Sequence, residues 1–228
     1  MNNYKKTALA VLGMSAVLFA GNAMAAIQNL EGTNVFYSFD DTKLGLFGTA
    51  SVSGDDLIFA PAAGFKASST SIVPAFTTGL TYVTVTAKTN YQLTAFSLVE
   101  SGGYTRSSGT NVGVTGTFTA LDDFEGMGNS LTKNFVTTPL SAASGTWNTA
   151  ANLAVPVAGW GDNGVVSTIK LTLSNQLFVT GGAGEIWKNA VTVNTSVSAV
   201  PEAETYAMML AGLGLVGFMA RRRTRSQI

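Results

Sequence analysis

The 228-residue chain contains no histidine and no cysteine. Without an imidazole the commonest general base is missing, and with it the usual catalytic triads and most zinc and iron sites. Without a thiol there is no cysteine nucleophile, no disulfide framework and no lipid attachment through an N-terminal cysteine. Charge is also scarce: Lys+Arg and Asp+Glu number 13 each. Much of the positive charge sits at the two ends, so the region between them is mildly acidic and lacks the basic footprint of a nucleic-acid binder. What dominates that region is threonine, serine, glycine, alanine and valine, a composition that suits pleated, half-buried surfaces joined by tight turns. Aromatics spaced along it, among them Phe36, Tyr37, Phe39, Tyr82, Phe96, Phe118 and Phe178, argue for a packed core instead of disorder.

The chain opens with Lys5 and Lys6 ahead of an uncharged apolar run from Ala8 to Ala20, the layout of a secretory signal peptide. Ala23 and Ala25 supply the small side chains that signal peptidase accepts, which places the cut after Ala25. A second apolar block runs from Tyr206 to Ala220 and meets Arg221, Arg222, Arg223 and Arg225. As a helix it is roughly 22 Å long against a hydrocarbon core of about 30 Å, so it barely spans. Arginines beside such a segment stay cytoplasmic, which leaves the intervening chain outside. These readings divide the protein into a signal peptide (1–25), one domain (26–199) and a C-terminal tail (200–228).

Val200, Pro201 and Glu202, then a short gap, the glycine-containing apolar run and the arginine cluster Arg221, Arg222 and Arg223 together resemble the PEP-CTERM sorting signal of exosortase substrates. Position 203 is alanine where that family usually has a second proline. The resemblance implies processing near Pro201 and Glu202 by exosortase, a membrane cysteine protease, and association with the exopolysaccharide and biofilm matrix of Gram-negative bacteria. The expected partners are signal peptidase and the secretion machinery, exosortase, the inner membrane through a transient C-terminal transmembrane helix, and exopolysaccharide. The precursor is expected at the inner membrane and the processed protein at the cell surface or in the extracellular matrix. Beside the resemblance, Pro201 disfavours helix at Val200 and blocks N-terminal growth of the following helix, which leaves an extended segment for a protease.

Period-two alternation predicts strands over residues 35–39, 56–60, 81–88, 91–100, 111–120, 165–173, 177–180 and 186–197. Thr89 and Asn90 between two of these read as a β-hairpin, Ser174 to Gln176 as a turn, and Gly181, Gly182 and Gly184 as another. Many short strands without a helical stretch indicate an all-β domain, an antiparallel two-sheet sandwich of jelly-roll or Ig-like kind. Residues 122–164 are the least patterned and are expected to hold the longest loops.

Chemistry in that domain is sparse. Paired carboxylates suffice for glycoside hydrolysis, but Asp40, Asp41, Asp55, Asp56, Glu100, Asp162 and Glu185 lie in no nameable motif. Asp122, Asp123 and Glu125, in a glycine-containing segment, are the one candidate set for calcium, although they lack EF-hand spacing. Trp147 and Trp160 fall in loop-like sequence and are candidates for stacking on sugar rings, against the alternative that they cap the core. No cofactor is implied. The function expected is a non-enzymatic exported surface or matrix protein; the alternatives are a carbohydrate-binding module for exopolysaccharide and, third, a secreted glycosidase.

Overall fold

The computed structural model describes residues 27–122, 128–156, 158–200 and 203–224; the signal peptide with Ala23 and Ala25 lies outside the described residues. Among the described residues twelve strands are formed: β1 Ile27–Glu31, β2 Val35–Asp40, β3 Thr49–Ser53, β4 Asp56–Ala60, β5 Lys66–Ser69, β6 Ala75–Ala87, β7 Tyr91–Arg106, β8 Asn111–Asp122, β9 Asn129–Val136, β10 Ser144–Ala154, β11 Thr168–Thr180 and β12 Gly184–Ala199. They make two antiparallel sheets, a first in the order β1-β2-β6-β11-β8-β9 and a second in the order β10-β7-β12-β4-β3, with β5 on the free stretch of β12. One helix follows, α1, Ala203–Thr224.

The pairing is nested. β8 pairs with β9, β7 with β10, β6 with β11 and β4 with β12, while β8 also meets β11 and β7 meets β12. That is a long two-stranded ribbon folded over on itself, the strand order of a jelly roll. β1, β2 and β3 widen its edges. Every step from β6 to β7, β7 to β8 and β11 to β12 therefore crosses from one sheet to the other.

This corrects the expected hairpin at Thr89 and Asn90. β6 and β7 belong to different sheets, and the chain arches between them with Asn90 in the left-handed region at φ 69°. Alternation is blind to the difference, because a strand buries every second residue whether its successor lies beside it or opposite it.

A second correction concerns Ser174 to Gln176, which is strand. In β11, Ile169, Leu171, Leu173, Asn175, Leu177 and Val179 are all buried, an unbroken period of two with one asparagine in an inward position. Residues 122–164 likewise hold β9 and β10 between their loops. Both are edge strands with few buried positions, so the alternation that marks a central strand is weak there.

The core between the sheets is aromatic at one end, where Phe47 lies edge-to-face against Phe59 and Phe65 with centroids 5.6 and 5.4 Å apart. Tyr37, fully buried on β2, crosses the sandwich. Its hydroxyl meets the Asp55 carbonyl oxygen at 2.5 Å and Thr195 Oγ1, on β12, at 2.6 Å. Burial raises the Tyr37 pKa well above the usual phenol value, opposed by the Thr195 hydrogen bond.

Tyr37→Phe is expected to lower stability by about 1–3 kcal/mol, since Asp55 and Thr195 lose a buried partner. Because the folded-state pKa is raised, the protein should hold its stability up to about pH 10 and lose it as the pH climbs beyond, the unfolded phenol ionising first. Urea denaturation at pH 8 and pH 11 measures both effects; the variant should lose less between the two than the wild type.

Candidate functional site

At the end of β12 the Val200 amide donates to the Asn90 carbonyl at 2.8 Å, so the chain leaves the sandwich beside the β6–β7 arch. Pro201 and Glu202 lie outside the described residues, and α1 begins at Ala203. From Met208 to Met219 every side chain of α1 is exposed, including Leu210, Leu213, Leu215, Val216 and Phe218. A helix meant to dock on the domain would hide one stripe of these residues. Among the described residues, no helix is both long and apolar enough to cross a membrane.

A protein-family model described as the PEP-CTERM protein-sorting motif matches residues 199–223. The chain carries a PEP-CTERM tag. The match takes in Val200, Pro201, Glu202, the apolar run and Arg221 to Arg223 in one register, and it implies processing by exosortase, a membrane protein. It stops at the foot of the sandwich and leaves the β-domain outside. A search of curated proteins finds no match to the chain.

Within the domain, both tryptophans singled out for sugar stacking are buried, Trp147 at 3 % and Trp160 at 5 % exposure. Neither offers a face to a sugar, and the core-capping alternative holds for both. Trp147 points inward from β10, its Nε1–H donating to the Trp187 carbonyl at 3.1 Å. Its ring lies over Gly102, where a Cβ would come within 2.6 Å of it and 1.9 Å of the Trp187 oxygen. Trp160 is turned inward by a tight loop: Gly161 has φ 61°, and Asp162 and Val165 exchange backbone hydrogen bonds of 3.1 and 2.9 Å.

Asp122, the described member of the calcium set, is fully buried at the end of β8 and accepts the Gly161 N–H at 2.6 Å. It holds the Trp160 loop in place. Asp123 and Glu125 lie outside the described residues, and among those described no group of acidic residues could hold a metal ion.

The other carboxylates are scattered in local duties. Asp55 accepts from the Asn34 backbone and side-chain amides at 2.6 and 2.8 Å, Asp40 accepts from Thr42 N at 2.9 Å, and Glu185 pairs with Lys66 at 3.2 Å. Glu100 differs. It points inward from β7 and meets Lys188 of β12 and Asn175 of β11 in the middle of the sandwich. Lys188 Nζ lies 2.7 Å from Glu100 Oε2 and 2.6 Å from Asn175 Oδ1, while Asn175 Nδ2 donates to Glu100 Oε1 at 2.9 Å. The rings of Phe65, Phe47 and Trp147 surround Nζ at 4.7, 5.7 and 5.9 Å. Burial lowers the Lys188 pKa, and the Glu100 charge and hydrogen bond oppose it.

Sequence reasoning missed this cluster. In the sequence Glu100 stands only among the unassigned acids, Asn175 lies in an expected turn, and Lys188 carries no expected role. The signal was parity: Lys188 shares a face with Ile186, and Asn175 with Leu173 and Leu177, so both occupy positions that a sandwich buries.

A groove of about 800 Å³ opens across the first sheet and reaches Thr149 and Ala150 of β10, at the edge of the second. Thr78, Gln176, Thr115 and Val136 lie side by side across four strands, followed by Ser174, Thr117 and Asn134 in the next row. Phe76, Leu80 and Tyr82 stand exposed on the same face.

Trp147→Ala should cost about 3–5 kcal/mol of stability, the range for emptying a buried aromatic site. Chemical denaturation measures it, and a loss under 1 kcal/mol would contradict the capping role.

Proposed function

We propose that the chain is an exported, non-enzymatic surface or matrix protein, in which the β-sandwich is the cargo and the tail is the address. The observation that carries this reading is the PEP-CTERM motif over residues 199–223. In this reading the N-terminal segment directs export and is cut after Ala25. The tail then retains the precursor at the inner membrane until exosortase acts near Pro201 and Glu202, after which the domain joins the cell surface or the exopolysaccharide matrix. The apolar run is short for a bilayer, so the retention is weak and temporary; the arginines extend its reach by snorkelling to the headgroups. A short anchor suits a segment that is to be removed.

The non-enzymatic part rests on the side chains. With histidine and cysteine absent from the sequence, imidazole- and thiol-based hydrolysis is excluded, and a carboxylate pair is the candidate that remains for glycoside hydrolysis. Among the described carboxylates, Asp40 and Asp55 hold turns, Glu31 and Glu185 form surface ion pairs, and Glu100 lies in the buried cluster.

A second reading, binding of exopolysaccharide, is favoured by the groove across the first sheet. Its hydroxyls and amides can exchange hydrogen bonds with sugar hydroxyls, and Tyr82 and Phe76 beside it are exposed rings of the kind that pack on pyranose faces. The two readings are compatible, since a matrix protein that holds its own polysaccharide does both.

Intact mass of the surface or released protein tests the sorting route. The expected product starts at Ala26 and lacks residues 206–228, and Pro201→Ala with Glu202→Ala should leave the precursor in the inner-membrane fraction. Recovery of the full tail in the released protein would sink the proposal. For the second reading, affinity for the producing cell's own exopolysaccharide should fall about 10-fold when Gln176→Ala and Asn134→Ala are combined, the size expected from losing hydrogen bonds worth ~1.4 kcal/mol.

A further inference from the structure

Lys188, Asn175 and Glu100 come from three strands in two sheets and enclose one another completely, with both charged side chains at 0 % exposure. As an ion pair this arrangement is costly, because each charge gives up hydration that the partner only partly returns. The aromatic rings around Nζ exclude water and leave the amine few alternatives to its two polar neighbours.

The same geometry is that of an amine held against a carboxamide. Nζ is 2.6 Å from Asn175 Oδ1, and a carbonyl bond is about 1.23 Å long, so the amide carbon is at most about 3.8 Å from the nitrogen. Such an approach, in a dry and rigid core, is close to the separation from which intramolecular reactions gain most of their advantage. Glu100 touches both reactants, Oε2 at the amine and Oε1 at the amide nitrogen that would leave.

We propose that Lys188 and Asn175 become joined by a covalent amide bond, formed inside the folded domain with Glu100 as the catalytic proton carrier. Lys188 passes a proton to Glu100, and the freed lone pair of Nζ attacks Cγ of Asn175. Glu100 hands that proton to the departing Nδ2 and takes a second one from Nζ. The Cγ–Nδ2 bond breaks and ammonia leaves. The products are the Nζ–Cγ amide, one ammonia and Glu100 as a carboxylic acid, so atoms and charges balance without an oxidant, a cofactor or a second enzyme. The lowered Lys188 pKa is in the direction that favours the first step. The reaction also removes the cost that the ion pair imposed: two buried charges are replaced by a neutral amide and a neutral acid able to hydrogen-bond each other.

The bond ties β11 of the first sheet to β12 of the second, next to β7 in the centre of the roll. It is a cross-link of the kind that a disulfide supplies elsewhere, in a chain that has no cysteine.

A glutamate-specific protease separates the two residues, because Glu185 lies between them. The protein purified from cells in its exported form is denatured and digested, and the fragments ending at Glu185 and beginning at Ile186 are weighed. The expected result is one joined species whose mass is the sum of the two fragments less one ammonia, surviving denaturant and reductant. Glu100→Gln, close to isosteric, should give two separate fragments of full mass, as should Lys188→Met. Two separate full-mass fragments from wild-type protein with native near-ultraviolet dichroism would overturn the proposal, and that reading does not depend on whether any variant folds. A joined species at wild-type yield in Glu100→Gln would overturn the role of Glu100.

Discussion

Three polar side chains at the centre of an otherwise apolar sandwich set the terms for the rest of the domain. Lys188 and Glu100 can be buried only if their oxygens and protons are all matched. The matching group, Asn175, sits on the opposite sheet. β7, β11 and β12 are therefore held at one spacing and one register, since sliding any of them by a residue would turn its polar member outward and leave the other two exposed to apolar walls. The bulge in β12 immediately after Lys188 has the same logic. Buried positions fall at Ile186 and Lys188 before it and at Val191, Val193 and Thr195 after it, so the shift between Lys188 and Ala190 lets both halves of a long strand face the core.

Around that centre the jelly roll is built from small residues. Gly102 and Gly103 on β7 lie under the indoles of Trp147 and Trp187, and Gly116 on β8 lies under Phe135, each too close to admit a Cβ. These glycines are strand residues and not turn residues, present because a large ring occupies the space where their side chain would be. Threonine covers the outer face of the first sheet for a related reason: its branched Cβ suits the pleat and its hydroxyl suits water.

What could be read from the residues divides along the same line. Alternation located β4 at its observed bounds and found the central strands β6, β7, β8 and β12, because those bury one face along their whole length. It failed where the polarity of a residue and the burial of its position disagree. Asn175, between Ser174 and Gln176, has the local chemistry of a turn, and only the Lys188 and Glu100 side chains, distant in sequence, make it a core residue. Trp160, flanked by Gly159 and Gly161, has the setting of an exposed loop, yet Gly161 and the buried Asp122 fold that loop back so that the indole faces inward. Pairing partners were beyond reach for the same reason, since the two residues Thr89 and Asn90 serve an arch as readily as a hairpin. The tail was the opposite case. Its meaning lies in order and spacing along the chain, which a sequence displays directly, and the family match falls on the residues that carried the resemblance.

The tail and the core address different stages of one history. An exported domain leaves the chaperones of the cytoplasm behind, and its working stability becomes a matter of how slowly it opens. Disulfides are the usual answer in oxidising compartments, but their formation depends on an oxidant and their persistence on the redox balance outside the cell. An amide between Lys188 and Asn175 depends on neither. It needs only that the chain fold correctly, because the three groups meet nowhere except in the finished sandwich, and once ammonia has left the dry core no nucleophile is at hand to reverse it. A domain closed in this way carries a record of having folded once, and that record survives the loss of the tag that brought it to the surface.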